Sequence, residues 1–153
     1  MRFLFRQGGC RNDKLLDKIM RIIHKIEAIV IKDDKFLMVR KFGKDIWTGL
    51  GGKPEKGETE PEALTREIKE ELDCDSEITR KLGDFEAKAI FDDAIVKLSV
   101  YTAKLIGEPK ISDPELEEFA YIGKDYKEDG IKLPPSIEEQ VLPSCIKEGL
   151  LKW

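Results

Sequence analysis

The chain has 153 residues, 41 % of them apolar and 38 % charged, with a formal net charge of −4. That is one domain's worth of sequence with enough apolar material for a core, so a wholly disordered chain is excluded. Net acidity makes it a poor binder of duplex nucleic acid and suits a protein that recruits metal cations. A single histidine, His24, excludes a His-rich zinc site, and no serine context supports a Ser-His-Asp triad. Cys10, Cys74 and Cys145 are scattered and odd in number, which points to reduced thiols in a cytoplasmic protein. No apolar run approaches the roughly 18 residues that span a bilayer, and Phe3-Leu4-Phe5 is too short for a signal-peptide core.

In chain order, residues 1–23 read as an N-terminal lead-in. Gly8-Gly9 breaks it, and Asn12 or Asp13 caps a short accessory helix carrying Leu15, Leu16, Ile19, Met20 and Ile23. Residues 24–153 form the domain. Ile26 to Lys32 is a buried strand, Asp33-Asp34 a turn, and Lys35 to Arg40 the returning strand. Phe42 to Lys56 is a Gly-rich polar loop with Trp47 at its centre. Thr59 and Glu62 make a capping box at the head of a helix whose apolar stripe is Leu64, Ile68 and Leu72. Further strands are expected from Glu77 to Phe91, Ile95 to Leu105 after an Asp92-Asp93 turn, and Glu118 to Ile122. A last helix starts near Pro135 and is interrupted at Pro143. Strands mixed with a few helices argue for a mixed α/β (α+β) sandwich rather than a doubly wound sheet.

The informative stretch is the capped helix and the loop before it. At about 100° per residue, Glu67, Glu70 and Glu71 fall within one arc beside the apolar stripe. Like charges at i,i+3 and i,i+4 repel and raise one another's pKa. A divalent cation reverses that penalty, and an all-oxygen set suits hard Mg²⁺ or Mn²⁺, which commonly share carboxylates with substrate phosphates. Gly51-Gly52 allows close backbone approach and a carbonyl ligand. Arg66 is one turn from Glu62 and Glu70, placed to pair with a carboxylate and fix its orientation. Taken alone, such a cluster is more often a solvated acidic face.

Gly52, then Glu58, then Arg66-Glu67-Ile68-x-Glu70-Glu71 resembles the Nudix box, G-x5-E-x7-R-E-U-x-E-E-x-G-U with U aliphatic, at six fixed positions. A chance match is on the order of one in ten million per starting point at average residue frequencies. The box departs at its last Gly, which is Asp73 here, with Cys74 where an aliphatic residue is usual. Asp tolerates the left-handed backbone that position needs.

The resemblance implies an α/β/α sandwich around a mixed sheet. It implies hydrolysis of a nucleoside diphosphate linked to a group X, with Mg²⁺ or Mn²⁺. Carried over by position, Glu67, Glu70, Glu71 and the Gly51 carbonyl would hold metal. Arg66 would orient Glu67 or Glu70. Glu58 would support the loop, and Gly52 and Lys53 would meet the phosphates. Bound metal would neutralise developing charge and acidify the attacking water. Glu70, Glu71 or Glu115 would take its proton, Glu115 being otherwise a surface loop acid.

Ile46 to Lys53 is similar to the same run in MutT-like members, which cleave nucleoside triphosphates to monophosphate and pyrophosphate, and lies nearer to the oxidised-purine branch. Trp47 either borders the base pocket or belongs to the core. Leu133 to Glu138 resembles a late segment where those members carry a base-reading Asn or Asp; here Ser136 or Ile137 stands there, against a narrow oxidised-guanine preference. The expectation is therefore a nucleotide pyrophosphohydrolase, with a nucleotide-sugar hydrolase or a non-catalytic nucleotide-binding module as alternatives. It acts on a small-molecule nucleotide, away from duplex nucleic acid and membranes, as a monomer or homodimer.

Overall fold

A computed structural model describes residues 21–89 and 93–153. The accessory helix expected within residues 1–23 lies almost wholly outside the described residues. Its last apolar position, Ile23, is not helical: it sits in β1 (Ile22–Ile29) and is buried. The β-branched run Ile22-Ile23 continues the strand backward, and strand pairing prevails over helical spacing there.

Two sheets follow, the first mixed and the second antiparallel. One sheet has the order β5–β1–β7–β6, built from β5 (Leu50–Gly52), β1, β7 (Ile95–Ile106) and β6 (Asp75–Lys88). Here β1 runs parallel to β7 with Ile23 opposite Val96, and antiparallel to β5 with Glu27 opposite Gly51. The second sheet centres on β3 (Lys35–Lys41), which pairs with β2 (Ile31–Lys32), β4 (Trp47–Thr48) and β8 (Leu116–Ile122). The strand expected over Ile26–Lys32 is thus divided at Val30, and its two parts serve different sheets. Asp33 and Asp34 adopt φ of 52° and 58°, the left-handed pair that a two-residue hairpin turn needs.

Helix α1 (Glu60–Leu72) covers one side. Thr59 Oγ1 accepts from the Glu62 amide at 3.2 Å and donates to the Glu62 carboxylate at 2.9 Å, closing the start. Leu64, Ile68 and Leu72 are fully buried against Ile26, Ala28, Leu37 and Leu50. On the other side, Ile137, Val141, Leu142 and Cys145 pack with Phe36, Met38, Leu98 and Val100. These two apolar bodies make the mixed α/β sandwich.

The C-terminal segment differs from a broken α-helix. Residues Ser136–Val141 form a π-helical turn that passes directly into α2 (Leu142–Lys147). Pro143 has no N–H and its ring would press on the carbonyl four residues earlier in a regular α-helix. The wider turn, in which the Leu142 N–H donates to the Ile137 carbonyl, relieves that clash without ending the helix.

Helix α1 ends on Asp73 at φ 46° and ψ 42°, with its N–H donating to the Lys69 carbonyl at 3.0 Å. Left-handed backbone costs an L-residue about 1 kcal/mol and glycine almost nothing. Asp73→Gly is therefore expected to stabilise the fold by about 1 kcal/mol, raising Tm by roughly 2–4 °C. Calorimetry showing an unchanged or lowered Tm would contradict this reading of the cap.

Candidate functional site

A cavity of about 420 Å³ opens where α1, β5 and β1 meet. Gly51, Gly52, Lys53, Glu67 and Glu71 line one part of it, joined by Glu115 from the loop before β8. The two helix carboxylates reach the cavity because they neighbour the buried stripe of α1 rather than its outer face. Glu71 is buried, only 6 % exposed. Its Oε1 accepts from the Gly51 amide at 2.9 Å. Burial pushes its carboxyl up to about 8 against that hydrogen bond, and the charges of Glu67, Asp113 and Glu27 push the same way. Glu67 is also raised, mainly by burial, although the Arg66 guanidinium opposes the shift.

Arg66 organises the remaining acids. Its Nε and Nη2 donate to the two oxygens of Glu58 at 2.8 and 2.9 Å, a bidentate pair. That pair holds Glu58 below the usual carboxylate range. Nη1 donates to Glu67 at 3.0 Å and to Glu70 at 3.3 Å, and Nη2 to the Lys53 carbonyl at 3.2 Å. Glu58 in turn accepts from the Glu55 amide at 2.7 Å, so one guanidinium ties the Gly-rich loop to the helix. The main partner of Arg66 is Glu58 rather than Glu62, with Glu67 and Glu70 as further partners.

Apart from Arg66 and Glu58, the predicted residues separate into three groups. Gly51, Gly52, Lys53, Glu67, Glu71 and Glu115 line the cavity. Glu70 is brought to Arg66 but its side chain is more than half exposed. Trp47 belongs with the core reading and not the pocket border. It is buried with Phe36, Met38 and Tyr126, and its ring lies 5.8 Å from the Arg40 guanidinium. Alternation explains the difference, because Thr48, the next residue of β4, lines the cavity. The Glu115 loop is fixed to the end of α1 by Lys110 N–H to Leu72 carbonyl and Ser112 N–H to Glu71 carbonyl bonds of 2.8 and 2.9 Å. Its carboxylate is largely exposed, 3.8 Å from Lys41.

Two cavity acids lay outside the sequence reading. Asp113 is in the same loop as Glu115. Glu27 is on β1, where Ile23, Lys25 and Glu27 share the cavity-facing side by strand alternation. Its Oε2 is buried without a hydrogen-bond partner among the described residues. Burial pushes its carboxyl up to about 7 against the nearby Lys25 charge. The available signal was one acid inside an otherwise apolar run, Ile26-Glu27-Ala28-Ile29.

Among the described residues no three acidic, imidazole or thiol groups already converge as a finished cation cage. Glu67 and Glu70 are turned onto Arg66, and Glu71 onto the Gly51 amide. The donor chemistry nevertheless fits a hard divalent cation: carboxylate oxygens held beside one another, with ionisation of the buried ones disfavoured until positive charge arrives.

Acids with raised folded-state pKa bind more protons folded than unfolded, so their contribution falls as pH rises. Between the unfolded value of about 4.5 and the folded values of about 8 for Glu71 and 7 for Glu27, each progressively destabilises the metal-free protein. Metal-free protein is therefore expected to lose Tm between pH 5.5 and 8.5. Glu71→Gln and Glu27→Gln should each flatten that decline, and Mg²⁺ should restore Tm at the alkaline end. Parallel Tm–pH curves for wild type and both variants would refute the assignment of strained acids to this cavity.

Known proteins resemble this chain in family and in fold. The NUDIX domain family model matches residues 25–125. Over 90 residues the chain is 33 % identical to the oxidized purine nucleoside triphosphate hydrolase of Danio rerio; the match covers 56 % of this chain and 58 % of that protein. The chain thus spans a little over half the length of that curated relative. The MutT protein of Methanosarcina mazei Go1 superposes with a TM-score of 0.69 at 18 % identity, covering 84 % of this chain and 96 % of its own. An ADP-ribose pyrophosphatase of Streptococcus suis does so at 0.65 and 17 %, covering 82 % and 90 %. At such identities the two structures speak for the fold alone, whereas the family match spans most of the described residues and includes the whole Gly51–Glu71 constellation. The chain belongs to the Nudix family.

Proposed function

We propose that this chain hydrolyses the phosphoanhydride of a nucleoside diphosphate linked to X, acting foremost on nucleoside triphosphates to release the monophosphate and pyrophosphate. The observation that carries the reading is Glu71: a carboxyl buried in α1, pushed up to about 8, resting on the Gly51 amide and facing a cavity that Gly52 and Lys53 also line. An acid so disfavoured is hard to explain as a stabilising feature. The Danio rerio relative, named for triphosphate hydrolysis, supports the same choice of substrate class.

Glu67, Glu71 and Glu70, with the Gly51 carbonyl, would hold Mg²⁺ or Mn²⁺. When bound, the cation supplies charge neutralisation on the diphosphate and acidifies water. Lys53 contributes a positive charge to the phosphate end. Arg66 keeps Glu67 oriented and holds the Gly-rich loop against the helix, so the phosphate-facing backbone is set before substrate arrives. One water oxygen bonds to phosphorus as the anhydride P–O bond breaks, and the released proton passes to a carboxylate. Of the three proton acceptors considered, Glu71 and Glu115 face the cavity; Glu70 lies to its side on Arg66.

A nucleotide panel with Mg²⁺ or Mn²⁺, resolving pyrophosphate from orthophosphate and including nucleotide sugars and ADP-ribose, tests the substrate class. Triphosphates are expected to yield pyrophosphate. Glu67→Gln and Glu71→Gln should each lower kcat by roughly 100-fold or more while the circular dichroism is unchanged. Arg66→Lys, which loses the forked pairing, should cost about tenfold. Nucleotide binding with no product from any member of the panel would leave a non-catalytic module in its place.

A further inference from the structure

Of the two cavity acids that the proposed hydrolysis does not use, Asp113 and Glu27, Glu27 carries a buried oxygen, Oε2, without a partner among the described residues. Glu27 comes from the sheet, not from α1. Its carboxylate lies over Gly49, where any Cβ would collide with Oε2 and Cδ; in the same way a Cβ on Gly52 would collide with the Glu67 carboxylate. Two glycines three residues apart therefore cradle two different acids. The same cavity is lined by apolar Ile23, Val96 and Pro134, interleaved with Lys25, Lys88 and Ser136, and apolar walls suit a flat ring.

We propose that Glu27 is a specificity-determining residue, whose carboxyl hydrogen-bonds an exocyclic amino group on the base of the bound nucleotide. The inference rests on the nucleotide reading above and adds which edge of the base is read. An oxygen buried without a partner is costly, and a ligand that supplies an N–H removes that cost. The carbonyl-type oxygen accepts from N–H whether the carboxyl is neutral or ionised, so recognition does not depend on its protonation state. A base lacking the amino group leaves the oxygen unpaired, and that mismatch is where selectivity arises.

Calorimetry with mononucleotides tests this on the full chain. The pairs are GMP with IMP, AMP with purine riboside monophosphate, and CMP with UMP, each in the ribo and deoxy forms available. Wild type should bind the amino-bearing member of at least one pair about tenfold more tightly than its partner. Glu27→Leu should bring that ratio below about twofold, and Gly49→Ala, whose methyl displaces the carboxyl, should act in the same direction. Glu27→Gln, which keeps an accepting oxygen, should retain an intermediate ratio and guards against misfolding of the leucine variant. Ratios within about twofold for all pairs in wild type, or a ratio that survives Glu27→Leu, would overturn the proposal. So would an effect that follows the sugar hydroxyl instead of the base, or an equal weakening of every nucleotide together with Mn²⁺ binding. Pyrophosphate release by the same samples with Mg²⁺ separates the two readings: discrimination without turnover removes the hydrolase and leaves Glu27's role intact, and turnover without discrimination does the reverse.

Discussion

Repulsion among carboxylates that the fold itself draws together is the constraint on which this structure turns. Glu67 and Glu71 neighbour the apolar stripe of α1, so packing Leu64, Ile68 and Leu72 carries both acids inward. The helix cannot bury its stripe without also desolvating them. Three features make the arrangement tolerable. Arg66 takes up Glu58, Glu67 and Glu70 on one guanidinium, the Gly51 amide meets Glu71, and Glu71 favours its protonated form up to about pH 8. Each is a partial remedy, and together they leave a site whose electrostatic demand is met in full only by an added positive charge.

The Gly-rich loop exists in this form because of the same acids. Gly51 has φ 141° and packs against the Ile26 carbonyl so closely that any side chain would collide with it. This approach brings the Gly51 amide to Glu71. Gly49 and Gly52 leave room for Glu27 and Glu67. The loop is therefore shaped less by turn formation than by the need to bring backbone beneath carboxylates. The capping box at Thr59 and the strained cap at Asp73 fix both ends of α1, and the backbone bonds from Lys110 and Ser112 secure the loop of Asp113 and Glu115 to its C-terminal end. Rigid support on several sides is what a site that must present charge in a set direction requires.

Much of this was legible in the residues. The spacing from Gly52 through Glu71 marked the helix and its cap, because helical periodicity links sequence position to direction, but it put Glu70 in one arc with Glu67 and Glu71, whereas the Glu70 side chain is more than half exposed. The Asp33-Asp34 turn was legible from its local residues, and the left-handed end at Asp73 was implied by the family resemblance. What escaped depends on contacts between distant segments. Trp47 and Thr48 are adjacent, and only the pairing of β4 with β3 decides which one faces the cavity. Glu27 falls inside a run read only as a buried strand, and the register with Gly51 and the parallel partner β7 are what place it. The division of one apolar run between two sheets, and the π-helical turn that carries the chain through Pro143, likewise arise from tertiary packing.

Manganese binding followed by electron paramagnetic resonance tests the central claim most directly, since it reads the cation without requiring turnover. With a non-hydrolysable nucleoside triphosphate analogue present, wild-type protein should remove the free Mn²⁺ signal stoichiometrically beyond what the analogue removes alone. The Glu67→Gln, Glu71→Gln double variant, folded by circular dichroism, should leave it at the analogue-only level. Equal loss of signal for wild type and double variant would mean that the inward acids of α1 do not hold the ion, and the account would fail.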